Sequence, residues 1–178
     1  MLKRVFLLVV PLCWCSSVWA GEPALGPVIK DYGPTYLIED RDVALEDGFV
    51  YKAVFDIAAY RGEVTSLNAE LVSVARFLNM HARNGTPPGD MDLAIVVHGA
   101  ALRNLLTHNA YRKRHDIDNP NLDLLIDLHD AGVRIMVCGQ SMAFGGIERS
   151  ELASRVEVGL SAMTLLTVLQ SEGYALLP

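Results

Sequence analysis

The run Leu93-Ala94-Ile95-Val96-Val97 constrains the fold more than any other stretch of the chain. Five consecutive apolar residues, three of them β-branched, offer no polar face to water. A strand of this kind is buried on both sides, as in a parallel sheet covered by helices. Met91 to Val97 is therefore expected as a strand, and Val50 to Ile57 and Val133 to Val137 share its character. Between the strands the apolar residues change period. Leu67, Leu71, Val74, Ala75 and Leu78 predict a helix over Val64 to Arg83, capped by Thr65 or Ser66 and stopped by Asn84-Gly85.

The alternation continues to the end of the chain. Ala100 to Asn109 is expected as a helix with Leu102, Leu105 and Leu106 inward, and Tyr111 to Asp118, basic then acidic, as an exposed stretch. Pro120 suits the first position of a helix carrying Leu124, Leu125 and Leu128 on its core face, with Gly132 as its stop. A short strand over Val156 to Leu160, interrupted by Gly159, precedes a helix over Ala162 to Gln170 capped by Ser161, and Tyr174 to Leu177 closes the sheet. This order predicts an α/β fold: a three-layer α/β/α sandwich around a mostly parallel five-stranded sheet.

The first twenty residues read differently. Lys3 and Arg4 precede an apolar run from Val5 to Trp14, and Val18-Trp19-Ala20 offers small residues where a signal peptidase reads. This is the pattern of a secretory signal peptide cleaved after Ala20, which predicts a periplasmic or secreted protein. Cys13-Trp14 before Cys15 does not suit lipidation. Cleavage of residues 1–20 from the 178 leaves 158, enough for one domain with a full core. It removes two of the 15 basic side chains and none of the 21 acidic ones, so the net charge falls from −6 to −8. Such a chain has no electrostatic attraction for nucleic acid or an anionic membrane surface. No later stretch of about 18 apolar residues exists to span a bilayer. Residues 21–48, with Pro23, Pro27, Pro34 and two acidic clusters, read as an arm that docks through Tyr32, Tyr36, Leu37 and Ile38, with a short helical turn near Asp42 to Leu45. Residues 49–178 form the domain.

Cleavage would leave Cys138 as the one cysteine, so no intramolecular disulfide can form. It ends the strand Val133 to Val137 and is followed by Gly139-Gln140-Ser141, a strand-to-helix turn. Carboxyl ends of strands in open α/β sheets are where ligands collect. Amide groups at such a turn favour a thiolate. A buried structural thiol is the plain alternative. Cys138-x-x-Ser141 excludes dithiol exchange, and Phe144 stands where a phosphatase loop needs arginine. His98 ends the second strand and is a candidate to move the thiol proton. Gln140 and Ser141 can donate hydrogen bonds to an anionic sulfur, with Gly139, Asn119 and Asp56 as further binding candidates, all of them equally suited to caps and turns. The histidines His81, His98, His108, His115 and His129 lack paired ligand spacing, so no metal is expected. No Gly-x-Gly-x-x-Gly or phosphate loop occurs, and no cofactor is expected.

Several landmarks together resemble a known family. They are Tyr51-Lys52-Ala53-Val54-Phe55-Asp56-Ile57, Leu78-Asn79-Met80-His81, Val96-Val97-His98-Gly99, Asn119-Pro120-Asn121, Gly132-Val133, Cys138-Gly139-Gln140-Ser141, Ser161-Ala162-Met163-Thr164 and Gln170-Ser171-Glu172-Gly173-Tyr174. In order and spacing they are similar to the DsrE/DsrF-like proteins, specifically the exported branch, over Val50 to Pro178. The resemblance implies a DsrE-like α/β/α fold and homo-oligomers, often trimers or hexamers. It also implies sulfur passed between a donor and an acceptor protein as a cysteine persulfide, with Cys138 as the carrier. The alternatives are a non-catalytic oligomer that binds a small ligand or a protein, with a structural Cys138, and a structural oligomer joined through the arm.

Overall fold

The computed structural model describes residues 21–60 and 62–177; the signal-peptide reading falls on residues 1–20 and lies outside them. Five strands, β1 (Tyr51–Ile57), β2 (Met91–Val97), β3 (Arg134–Cys138), β4 (Glu157–Gly159) and β5 (Ala175–Leu177), form one sheet in the order β4-β3-β2-β1-β5. Every neighbouring pair is parallel. The helices are α1 (Ala69–Arg83), α2 (His108–His115), α3 (Leu122–Asp130), α4 (Gly139–Gly145) and α5 (Ala162–Ser171).

The pleat sends alternate residues to opposite faces, and the two faces are covered unequally. Phe55, Ile57, Leu93, Ile95, Val97, Ile135 and Val137 pack with Leu71, Val74, Ala75 and Leu78 of α1 and Leu124, Leu125 and Leu128 of α3. The other face holds Val54, Ala94, Val96, Met136 and Cys138 against Ala162 and Leu169 of α5 and Tyr174. Ile95 and Val96 are both fully buried, one on each face, which is what the unbroken apolar run requires.

Four local expectations differ from the structure, two of them where side-chain hydrogen bonds intervene. The long helix starts at Ala69 rather than Val64, because the Asn68 side chain accepts from the amides of Glu70 and Leu71, and neither Thr65 nor Ser66 is the cap. Leu67, expected in its stripe, precedes the helix and is 37% exposed. The segment after β2 is a 3₁₀ helix, Gly99–Leu105, and the stretch expected to be exposed contains α2, with Tyr111 fully buried. Tyr111 donates to the Val64 carbonyl at 2.8 Å and shares a 2.9 Å hydroxyl contact with Tyr60. No helical turn forms at Asp42 to Leu45.

Of the residues expected to dock the arm, Tyr32 packs against the core, and the other three do not. Tyr36, Leu37 and Ile38 are each about half exposed, whereas Ile29 is buried. Asn79, fully buried on α1, accepts from the amides of Val28 and Ile29 and donates to the carbonyls of Ile29, Tyr32 and Gly33. Arg83 donates to the carbonyls of Ala24, Leu25 and Gly26. Gly33 passes so close to α1 that a Cβ there would lie 2.5 Å from the Arg76 nitrogen. Asn79→Ala strands these buried main-chain groups. It is expected to cost about 2 kcal/mol in chemical denaturation and to speed proteolysis within residues 21–48.

Candidate functional site

Parallel register brings the ends of three strands together. Ile57 pairs with Val97 and Val97 with Val137, so His98 and Cys138 each stand one position past a paired row on neighbouring strands. His98 is still extended (φ −149°, ψ 179°), so the alternation carries through it. It therefore falls on the face of Val96, which is also the face of Cys138 and Asp56. His98 Nε2 lies 2.8 Å from Asp56 Oδ1, with both side chains about a third exposed. The structure thus pairs the histidine that follows β2 with the carboxylate of β1.

Cys138 caps α4. Its Sγ accepts from the Ser141 amide at 3.4 Å, and the residue is 5% exposed. Burial raises the thiol pKa. The Ser141 hydroxyl and the amides of Ser141, Ala162 and Gln140 oppose it and prevail, holding the thiol below its ordinary value of 9.0. Ser141 Oγ in turn accepts from the Gly99 amide at 3.0 Å. Ser141 therefore joins the thiol to the residue that follows His98, with its amide on the sulfur and its hydroxyl on Gly99. Ser141→Ala removes the hydroxyl, so the pH midpoint of thiol alkylation should move upward. An unmoved midpoint would show that the hydroxyl does not act on the sulfur.

The remaining expected residues divide. Gly139 lets β4 approach: a Cβ there would meet the Gly159 carbonyl oxygen at 2.7 Å. The Gln140 side chain, expected to donate to the sulfur, is exposed; its main-chain amide is among the groups that lower the thiol pKa. Asn119 is 2% exposed and its side chain is taken up by main chain, donating to the carbonyls of Asn104 and Leu106 and accepting from the Asn121 amide. It ties the segment after β2 to the start of α3. The Ala162 amide was not anticipated, since α5 starts 24 residues beyond the thiol. The glycine interrupting β4 was the available signal, because Gly159 faces Cys138 in register and marks a close approach.

Around this edge Phe144, Leu160 and Met163 are 92%, 71% and 77% exposed. A cavity of about 430 Å³ lies elsewhere, between the arm and the end of α3, beside Asp31, Asp127 and Asp130. Burial, then Asp31, Asp123 and Asp130, push the Asp127 carboxyl above its ordinary range. Among the described residues no cluster of three His, Cys, Asp or Glu side chains is placed to hold a metal ion. No helix among them is long and apolar enough to cross a membrane.

The sequence model of the DsrE/DsrF-like family matches residues 52–178, from β1 to the end of the chain. The chain belongs to the DsrE/DsrF-like family. That membership places it in a superfamily of the sulfur-relay type. No curated protein matches it. Among solved structures it is similar to MTH1491, a protein of unknown function from Methanobacterium thermoautotrophicum. The two share 19% identity with a TM-score of 0.54, over 71% of this chain and 97% of that one. At this identity the likeness concerns the fold, and a DsrE-like α/β sheet is common to both. The arm, residues 21–48, precedes the stretch that the family covers.

Proposed function

We propose that this DsrE/DsrF-like protein carries sulfane sulfur on Cys138. The single observation behind this reading is the thiol's place at the start of α4, where Sγ accepts from the Ser141 amide in surroundings that lower its pKa. Such surroundings stabilise a negative sulfur, and the thiolate is the nucleophile in sulfur exchange. With a persulfide donor R–S–SH, the thiolate attacks the terminal sulfur, a Cys138 S–S bond forms and the donor S–S bond breaks. The donor leaves as a thiolate and takes the proton that Cys138 gave up. One sulfur atom moves and no net oxidation occurs. The burial of Cys138 suits a donor that presents a single sulfur atom rather than a bulky group.

The decisive experiment is intact mass before and after glutathione persulfide, and again after dithiothreitol. A reversible gain of one sulfur atom supports the reading; an unchanged mass defeats it. The proposal extends to an exported homo-oligomer, a trimer or hexamer, with a separate protein as donor or acceptor. The exposed Phe144, Leu160 and Met163 beside the thiol fit a covered apolar surface. Light scattering that returns a monomer would remove the oligomer from the proposal. The near-complete burial of Cys138 also favours a second reading, in which the thiol only packs and the sheet edge binds a small ligand or a protein. A thiol inert to maleimide in the native protein, yet reactive once denatured, would select it.

A further inference from the structure

The Asp56–His98 pair is used by neither the core nor the thiol's own donors. It joins the ends of two neighbouring strands through one polar contact. Asp56 belongs to β1 and His98 follows β2, and their atoms meet at 2.8 Å while both side chains keep contact with solvent. A carboxylate oxygen accepts, so Nε2 carries the hydrogen of this bond. In the neutral ring the lone pair then sits on Nδ1, because only one imidazole nitrogen is protonated. The carboxylate fixes the orientation and tautomer of the ring, the role of the third member of an acid–base triad.

Its position relative to the sulfur follows from the fold. His98 and Cys138 end adjacent parallel strands one place beyond the Val97–Val137 pair, on the same face of the sheet. Ser141 locks the two ends together: its hydroxyl accepts from the Gly99 amide and its own amide donates to Cys138 Sγ. The loop bearing the histidine is thus anchored at the thiol through a single residue.

We propose that Asp56 is a positioning residue that fixes His98 as the Nε2–H tautomer, and that His98 Nδ1 carries the proton exchanged during reactions of Cys138. This rests on the sulfur-carrier reading for its substrate class, a persulfide. The Cys138 proton passes to Nδ1 and the thiolate attacks the donor's terminal sulfur. The S–S bond to the donor thiol breaks, and the Nδ1 proton returns to the departing thiolate to give R–SH. Each proton lost is regained and no oxidant or reductant is consumed.

The test separates departure of a thiolate from simple attack. Alkylation by iodoacetamide releases iodide, which needs no proton, whereas exchange with 2-hydroxyethyl disulfide releases a thiolate, as persulfide transfer does. In Asp56→Asn the ratio of exchange rate to alkylation rate should fall about 10²-fold, a general acid–base contribution of ordinary size. Asp56→Glu should restore part of it. Long-range ¹⁵N–¹H spectra of the histidine should show the Nε2–H form in the wild type and a mixture of tautomers in Asp56→Asn. An unchanged ratio together with an unchanged tautomer overturns the proposal. Should the wild type accept no sulfur from glutathione persulfide while Asp56→Asn still lowers the ratio, the sulfur-carrier reading falls and the proton-carrying pair stands.

Discussion

Cys138→Ser is expected to abolish sulfur loading while leaving the fold intact. After treatment with glutathione persulfide, the peptide spanning β3 and α4 should gain one sulfur atom in the wild type and none in the variant. The loss should be complete rather than partial, because a serine hydroxyl is not ionised near neutrality and forms no persulfide. Cys13 and Cys15 fall in the first twenty residues, so locating the added sulfur by peptide mass separates them from Cys138. Stability should change little. Serine Oγ accepts from the same amides that now approach Sγ, and an intramolecular hydrogen bond contributes about 1 kcal/mol net. The difference should vary with pH in one direction. The folded thiol ionises below its ordinary value of 9.0, so folding releases a proton between the folded and unfolded midpoints. The stability contributed by the thiolate is thus full above pH 9.0 and is lost as pH falls through the folded midpoint. Wild type minus Cys138→Ser, measured by urea denaturation across alkaline pH, should rise and then level. A flat difference would mean that the surrounding donors do not favour the thiolate. Sulfur recovered on another residue of the variant would remove Cys138 from the carrier role.

The strands were legible because burial on two faces leaves an unmistakable mark: Leu93 to Val97 has no polar residue to expose. The helices α3 and α5 were legible for the related reason that one apolar stripe and one terminating glycine suffice. What escaped was set by contacts distant in sequence. Asn68 ends the chain's approach to α1 because its side chain satisfies the amides of Glu70 and Leu71 while its own amide donates to Asn121, 53 residues away. Val64, Thr65 and Ser66 satisfy the same local rules and lose to that long-range bond. Tyr111 escaped because one buried aromatic ring among arginines, lysine and histidines makes no periodic stripe, and its partners, Tyr60 and Val64, lie about fifty residues earlier. The site divides similarly. Cys138 with Gly139, Gln140 and Ser141 is contiguous, so the turn was visible from residues alone. The Asp56–His98 contact and the Ala162 donor both need the order β4-β3-β2-β1-β5, which periodicity does not encode.

Gly139→Ala should damage the fold and the thiol together, through a single methyl group. Parallel pairing sets Cys138 opposite Gly159, and the next residue of the chain turns into α4 directly beneath the end of β4. A Cβ on Gly139 would stand 2.7 Å from the Gly159 carbonyl oxygen and 3.4 Å from that of Leu160. Both obstacles are main chain, so no rotamer change relieves them. Nor can β4 withdraw freely, because the space for a Cβ at Gly159 is filled by Leu165, whose Cγ lies 2.6 Å from it. The edge strand, α4 and α5 therefore meet at two glycines packed against one leucine. Overpacking of this kind costs about 3 kcal/mol, near the upper end for one added methyl, and should lower the denaturation midpoint accordingly. The chemical consequence follows from geometry. Moving β4 outward draws the start of α5 with it, since only Leu160 and Ser161 separate them, and the Ala162 amide then leaves the sulfur. The thiol should lose part of its preference for the charged form, and its alkylation midpoint should rise. Ser141→Ala should raise that midpoint with little loss of stability, whereas Gly139→Ala should change both. A Gly139→Ala protein as stable as the wild type, with an unmoved midpoint, would mean that β4 yields without cost. The close approach at Gly159 would then not be what holds the Ala162 donor on Cys138.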